Sequence, residues 1–242
     1  MTASRHKQVR RQSPGQLPDR HDGCVATADL FGGAVWPTGH EQKLCDGAVV
    51  LRGFALSDEE ALLEGIDATV LQAPFRNFVT PGGLRMAVAM TNAGALGWVS
   101  DHRGYRYEPI DPASAKPWPP MPSAFAHLAT TAAAHAGFAN FVPDACLINR
   151  YSTGVRLSLH QDRDEQDMGQ PIVSVSLGLP AIFQFGGLRR PEQAQRIALT
   201  HGDVVVWGGP ARLRYHGVLP LKPGHHPALG DCRINLTFRC AG

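Results

Sequence analysis

The sequence has no C-x-x-C pair and only five cysteines, Cys24, Cys45, Cys146, Cys232 and Cys240, an odd number. No stretch reads as a signal peptide. A disulfide framework is therefore excluded, a structural zinc cluster is disfavoured, and free thiols in a reducing cytoplasm are expected. No apolar run approaches the roughly 18 residues a membrane span needs, so no membrane partner is expected. Charge of one sign is also scarce. The formal net charge is +2, so nucleic-acid binding has to rest on a local patch rather than on an overall field. No internal repeat is present. What remains is a 242-residue chain, 43% hydrophobic and 18% charged, long enough for one good core or at most two small ones.

Residues 1–23 are polar and basic, with Arg5, Lys7, Arg10, Arg11 and Arg20. They read as a disordered tail, or as a weak electrostatic contact for nucleic acid. The folded part is expected over 24–242 as a single domain. Helices and a lid occupy about 44–144, and a β core occupies 145–242. Gly47 to Phe54 reads as the first strand. Ser57 and Glu60 fit a capping box before Leu62, Leu63, Ile66 and Val70 at helical spacing. Thr80-Pro-Gly-Gly83 reads as a turn and Leu84 to Met90 as a strand. Five prolines make 111–122 a rigid connection. A second helix is predicted from Ser123 to His135, with Gly137 just past its end.

From Ala145 the pattern changes to short β-branched runs separated by Gly, Pro and Asp. They are 146–151, 157–160, 172–177, 181–185, 196–199, 204–207, 215–218 and 235–239. Strands at this spacing predict a sandwich, jelly roll or barrel, with two helices packed outside it.

His160-Gln-Asp162 ends one predicted strand, and His216 lies near the start of a later one. Side chains at i and i+2 of a strand share a face, so His160 and Asp162 can reach one ion together. Two histidines and a carboxylate on one face of a ferrous ion leave adjacent positions for a bidentate co-substrate and O2. H-x-D alone is a weak signal, and a catalytic zinc site with a bound water is the competing metal reading.

The last strand bears on that choice. In Arg233-Ile-Asn-Leu-Thr-Phe-Arg239, period two puts Arg233, Asn235, Thr237 and Arg239 on one face. An ordinary edge strand would turn that face to solvent. Facing into a barrel, the two arginines would be costly without anions, and a dicarboxylate would supply them. Asn149 and Tyr151 share a face on an early strand and could hydrogen-bond the same ligand. Equally, Tyr151 could simply pack against the barrel.

These words in this order resemble the AlkB family of dioxygenases. The matching stretches are Asn149-Arg-Tyr151, Ser158 to Glu165, Val173 to Gly187, His201 to Gly209 and Arg233 to Arg239. Thr80 to Gly83, Ala89 to Asn92 and Pro109 to Pro112 extend the match upstream, so it covers about 44–241. The resemblance implies a double-stranded β-helix (jelly roll) core, mainly β, with flanking helices and an N-terminal nucleotide-recognition lid. It implies Fe(II) on His160, Asp162 and His216, with 2-oxoglutarate and O2 as co-substrates. Asn149, Arg150, Tyr151, Arg233, Asn235 and Arg239 would hold 2-oxoglutarate, with Arg239 on its distal carboxylate and Arg233 near the metal-bound end.

Trp98 and Tyr105 would form the lid over a flipped base, with Arg106 among the substrate contacts. Thr80 and Tyr107 would lie on the DNA backbone, and Met90 beside the base. Asp164 would face the exocyclic amine, and Arg190 would lie near the substrate. Glu165 reads as part of a solvated turn, and Trp207 as a core aromatic near the iron pocket. The one departure is Arg163, where a family member carries lysine.

The implied reaction removes methyl groups from N1-methyladenine and N3-methylcytosine. It releases formaldehyde, succinate and CO2. Alkylated DNA, single-stranded by preference, is the expected partner, with RNA carrying the same bases a further one. A monomer is expected. An RNA-directed enzyme on the same scaffold, a non-catalytic nucleic-acid-binding β module and a zinc hydrolase are the rival readings.

Overall fold

The structure, a computed structural model, describes Met1 and residues 37–242. The basic tail and Cys24 lie outside the described residues. The described residues open with β1 (Glu41–Cys45) and β2 (Ala48–Leu51), followed by α1 (Glu59–Gln72). Next come β3 (Ala89–Gly94), β4 (Gly97–Asp101), β5 (Gly104–Glu108) and the two-residue pair β6 (Ile110–Asp111) and β7 (Lys116–Pro117). Helix α2 (Ser123–His135) precedes the β core. That core comprises β8 (Ala145–Ser152), β9 (Leu157–His160), β10 (Ile172–Gly178), β11 (Ala181–Phe185), β12 (Gln195–Leu199), β13 (Val204–Trp207), β14 (His216–Val218) and β15 (Cys232–Arg239).

Two antiparallel sheets form the jelly roll. The larger has seven strands in the order β1-β2-β13-β10-β15-β8-β3, and the smaller has four, β12-β11-β14-β9. Period two divides the large sheet cleanly. Val173, Val175, Val204, Val206, Ile234, Leu236 and Phe238 pack outward against Leu62, Ile66, Phe125 and Leu128 of the two helices. Tyr151, Val205 and Trp207 point inward and meet Phe183, Phe185 and Leu199 of the small sheet. The polar face of β15 therefore points into the barrel, not to solvent.

Three expectations fail locally. The first strand among the described residues is β1, not the 47–54 run, because polar Glu41–Cys45 is recruited as an edge by pairing with β2. Ser57 caps nothing: it falls in a 3-10 turn, Leu56–Asp58, and α1 starts after Asp58 with no side-chain cap bond. The strand expected over 84–90 begins only at Ala89. Residues 84–88 meet no continuous partner, Leu84 is exposed, and isolated bridges at Val79–Arg85 and Arg76–Met90 replace a ladder.

β4 and β5 pair with each other and with neither main sheet. This hairpin is anchored at its base. The Asn92 side chain clamps the Trp98 backbone from both sides, at 3.0 Å each, and the Trp118 indole donates to Glu108 O at 3.0 Å. Gly97 is required there, since any Cβ would overlap the Trp118 indole. Among the described residues no helix is long and apolar enough to cross a membrane.

Candidate active site

β9 and β14 are antiparallel neighbours, and their register places His160 directly opposite His216. Asp162 follows β9 and completes the group. One ligand atom from each of the three residues lies within 4.8 Å of the others. His160 Nε2 is 3.5 Å from Asp162 Oδ1, and His216 Nε2 is 3.7 Å from Asp162 Oδ2. Each imidazole is aimed by its other nitrogen. His160 Nδ1 donates to Ser158 O at 2.9 Å and His216 Nδ1 to Arg214 O at 3.0 Å. A carbonyl can only accept, so both protons sit on Nδ1 and both Nε2 lone pairs face the shared centre.

The two histidines titrate apart. Burial disfavours the His160 imidazolium, but the hydrogen bond and charge of Asp162 outweigh it and raise the pKa above 6.5. Burial, and then the charge of His160, push His216 down to about 4. Burial also opposes the Asp162 charge, yet Arg239 and both histidines hold the carboxyl well below its usual range. A metal needs both imidazoles neutral. Below the raised His160 pKa one proton competes with the ion, and below about 4 a second does. Titrating Mn(II) into the protein should show affinity that is flat above the raised His160 pKa and falls about tenfold per pH unit below it, with one proton released per ion there. Affinity independent of pH down to about 5 would contradict it.

Behind the metal group lies a buried ionic cluster. Arg239 Nε and Nη2 donate to Asp162 Oδ2 at 3.0 and 2.7 Å, and Nε lies 3.1 Å from Glu165 Oε1. Arg212 Nη2 donates to Glu165 Oε2 at 2.9 Å, and its Nη1 donates to the Asp162 carbonyl at 2.9 Å. Arg233, at the other end of β15, has no carboxylate partner among the described residues. Its Nη2 donates to Ser176 Oγ at 2.9 Å, and its guanidinium lies over the Tyr151 ring. Its Nε and Nη1 are buried without a partner, as are Arg239 Nη1 and Asn149 Oδ1.

The positions of the two arginines differ from the expected order. Arg239 grips a metal ligand and marks the metal end, while Arg233 marks the far end. Asn235 is committed to its neighbours: its amide donates to Ser174 Oγ and Val175 O and accepts from Thr237. Arg150 does not belong to the pocket. It is exposed on the other face of β8, with its guanidinium 4.6 Å from the Phe75 ring centroid.

The lid hairpin leans over this pocket. Trp98 stacks on Tyr105, centroids 5.6 Å apart and planes at 14°, and its indole donates to Asp164 Oδ2 at 2.9 Å. Met90 is buried in the same interior cluster. Tyr107 does not face a polymer backbone. Its hydroxyl turns inward and donates to Glu165 Oε1 at 2.8 Å, and burial raises its pKa well above 10.0. Arg106 points to the opposite face of β5, where Asp101 and Glu108 hold it. Glu165 is buried, not part of a solvated turn. Thr80 Oγ1 accepts from Leu84 N at 3.1 Å within its turn, and Arg190 is exposed in the loop after β11. Trp207 is buried with its ring 4.9 Å from that of His216.

Sequence reasoning missed Arg212, Ser174 and Ser176, and it put Glu165 in a solvated turn. The serines had a signal: they alternate through otherwise apolar β10, on the face that meets Asn235 and Thr237.

The residues present fit a metal and a dianion. Three buried arginines (Arg212, Arg233, Arg239) face two buried carboxylates (Asp162, Glu165), leaving one positive charge in excess before any ion is added. A divalent metal raises that excess to three, and a dicarboxylate returns it to one. The orphaned guanidinium hydrogens supply its donors.

A jelly roll carrying this triad and buried guanidiniums with unsatisfied N–H groups defines the class of non-haem ferrous oxygenases with an anionic co-substrate. The comparisons agree. The family model for the 2OG-Fe(II) oxygenase superfamily matches residues 47–239. "Alpha-ketoglutarate-dependent dioxygenase AlkB" of Escherichia coli (strain K12) is 58% identical over 215 residues, 88% of this chain and 98% of that protein. "Alpha-ketoglutarate-dependent dioxygenase AlkB homolog" of Caulobacter vibrioides (strain NA1000 / CB15N) is 46% identical over 187 residues, 77% of this chain and 83% of that protein. The solved structure of OsALKBH1 matches with a TM-score of 0.72 at 29% identity, covering 83% of this chain and 99% of that one. The chain belongs to the AlkB family of 2OG-Fe(II) oxygenases and is an Fe(II)- and 2-oxoglutarate-dependent dioxygenase.

Proposed function

We propose that the protein oxidatively demethylates alkylated nucleobases, N1-methyladenine and N3-methylcytosine, in DNA, acting on single strands by preference. The observation that carries this reading is the His160–Asp162–His216 group set beneath an aromatic lid whose tryptophan is held by a carboxylate, Asp164. His160, Asp162 and His216 would hold Fe(II), which with 2-oxoglutarate and O2 supplies the oxidation of the N-methyl C–H bond. The resulting hydroxymethyl group leaves as formaldehyde, with succinate and CO2 as co-products. Arg239 Nη1 would bind the co-substrate at the metal end. Arg233, with Tyr151 and Asn149, would bind the far carboxylate.

The remaining task of the chain is placement. The methyl group lies on the base-pairing edge, so the base enters from a single strand or by flipping out of a duplex. Trp98 and Tyr105 offer ring faces for it to stack on, worth about 1–3 kcal/mol per base. Met90 walls the pocket, with Thr80 and Arg190 toward the polymer. Both lesions are cationic, and Asp164 supplies the matching charge. The pocket reads the base, so RNA carrying the same lesions falls within the proposal. A monomeric, cytoplasmic enzyme is part of the same reading, supported by the free thiols of Cys45, Cys146, Cys232 and Cys240.

The test compares cationic N3-methylcytosine with neutral N3-methylthymine in otherwise identical single strands. The cationic base should turn over faster, and Asp164→Asn should cut that preference roughly tenfold, the worth of one hydrogen bond to a charged group. Demethylation of neither base while 2-oxoglutarate is consumed would overturn the proposal.

A further inference from the structure

The hairpin β4–β5 joins neither main sheet, so side chains seat it over the pocket. Two consecutive residues beyond the metal strand do this. Asp164 takes the Trp98 indole at the surface, and Glu165 takes the Tyr107 hydroxyl in the interior. Trp98 and Tyr107 are cross-strand partners, so the two contacts act on one point of the lid. The interior contact leads further. Glu165 Oε1, which accepts from Tyr107 at 2.8 Å, also lies 3.1 Å from Arg239 Nε. Arg212 fixes the other oxygen of Glu165. Arg239 in turn holds Asp162 and keeps Nη1 unpartnered.

We infer that Tyr107 and Glu165 are positioning residues that tie the lid to Arg239, so that co-substrate binding and lid seating reinforce each other. The inference rests on the assignment of the arginine pocket to 2-oxoglutarate. Glu165 Oε1 is shared between a lid hydroxyl and the guanidinium, so it cannot shift toward one without loosening the other. A carboxylate on Arg239 Nη1 fixes the guanidinium, which fixes Glu165 and thereby the seat of Tyr107. Coupling of this kind is reciprocal: whatever the co-substrate adds to lid stability, the seated lid adds to co-substrate affinity. The enzyme would then close over a base most firmly when its oxidising equivalent is already loaded.

The test uses the full chain loaded with Mn(II), which supports binding without turnover. Calorimetry gives the 2-oxoglutarate affinity, and amide hydrogen exchange over residues 97–108 gives the lid. In the wild type, 2-oxoglutarate should slow exchange in the hairpin. Tyr107→Phe keeps the ring and removes only the hydroxyl. It should weaken 2-oxoglutarate binding about tenfold, the worth of one hydrogen bond to a charged group. It should also abolish the ligand-dependent slowing. Glu165→Gln, nearly isosteric, should do the same.

A merely structural tether behaves differently. Its loss would speed exchange equally with and without 2-oxoglutarate and leave the affinity unchanged, and that result would overturn the inference. If the wild type fails to bind 2-oxoglutarate at all, the pocket assignment falls and takes the inference with it.

Discussion

Replacing Arg233 by methionine is expected to make the ligand-free protein harder to unfold while nearly abolishing its affinity for 2-oxoglutarate. The guanidinium is buried against Ser176 Oγ and Tyr151, and among the described residues Nε and Nη1 have no hydrogen-bond partner. Burial pulls its pKa below the ordinary guanidinium value, the mark of a cation held in an environment that disfavours it. Methionine fills a similar volume without a charge to desolvate, and exchanges of this kind stabilise by about 1–4 kcal/mol. For a chain of this size each kcal/mol raises Tm by about 2–4 °C. Removing one partner of a buried charge pair costs about 2–5 kcal/mol in binding, or roughly 30- to several-thousand-fold in affinity. The opposite signs make the test sharp. A variant that merely folded badly would lower both Tm and affinity, and a lower Tm with normal 2-oxoglutarate binding would contradict the assignment.

Glu165→Ala should do the reverse to the fold. Glu165 is the carboxylate shared by Arg212 and Arg239 and the acceptor for Tyr107. Without it, Arg212 keeps only the carbonyls of Gln170 and Asp162, and its charge stays buried. Breaking a buried pair this way costs about 3–5 kcal/mol, which thermal or denaturant unfolding of the ligand-free protein would register. A loss well under about 1 kcal/mol, as at an exposed pair, would show that the cluster is solvated in solution.

Most of the architecture was legible because it obeys local rules. Alternation along β15 named the inward face before any partner was known, and helix α2 was visible between Pro122 and Gly137. The strands from β8 to β15 were legible as short, mostly apolar runs closed by turn residues. The triad followed from H-x-D geometry once a late strand offered a second histidine.

What failed depends on partners distant in the chain. The carboxylates of Asp164 and Glu165 look alike in sequence, yet one is exposed and the other buried. Arg212, 47 positions from Glu165, decides which. The places of Arg233 and Arg239 relative to the metal group were hidden for the same reason. Period two says that both face inward, but only the contact with Asp162 says which end holds the metal. Arg150 and Arg106 were assigned by being neighbours of functional residues, and alternation in a strand puts such neighbours on the opposite face.

In the proposed reaction this pocket removes a methyl group from a nucleobase at the expense of 2-oxoglutarate. The most direct measurement is the mass of a single-stranded oligonucleotide carrying one N1-methyladenine, followed with Fe(II), ascorbate and 2-oxoglutarate. His160→Ala and omission of 2-oxoglutarate serve as controls. The expected result is loss of one methyl, with formaldehyde released in equal amount, in the wild type and in neither control. An unchanged oligonucleotide, from protein shown to bind both the metal and 2-oxoglutarate, would contradict it.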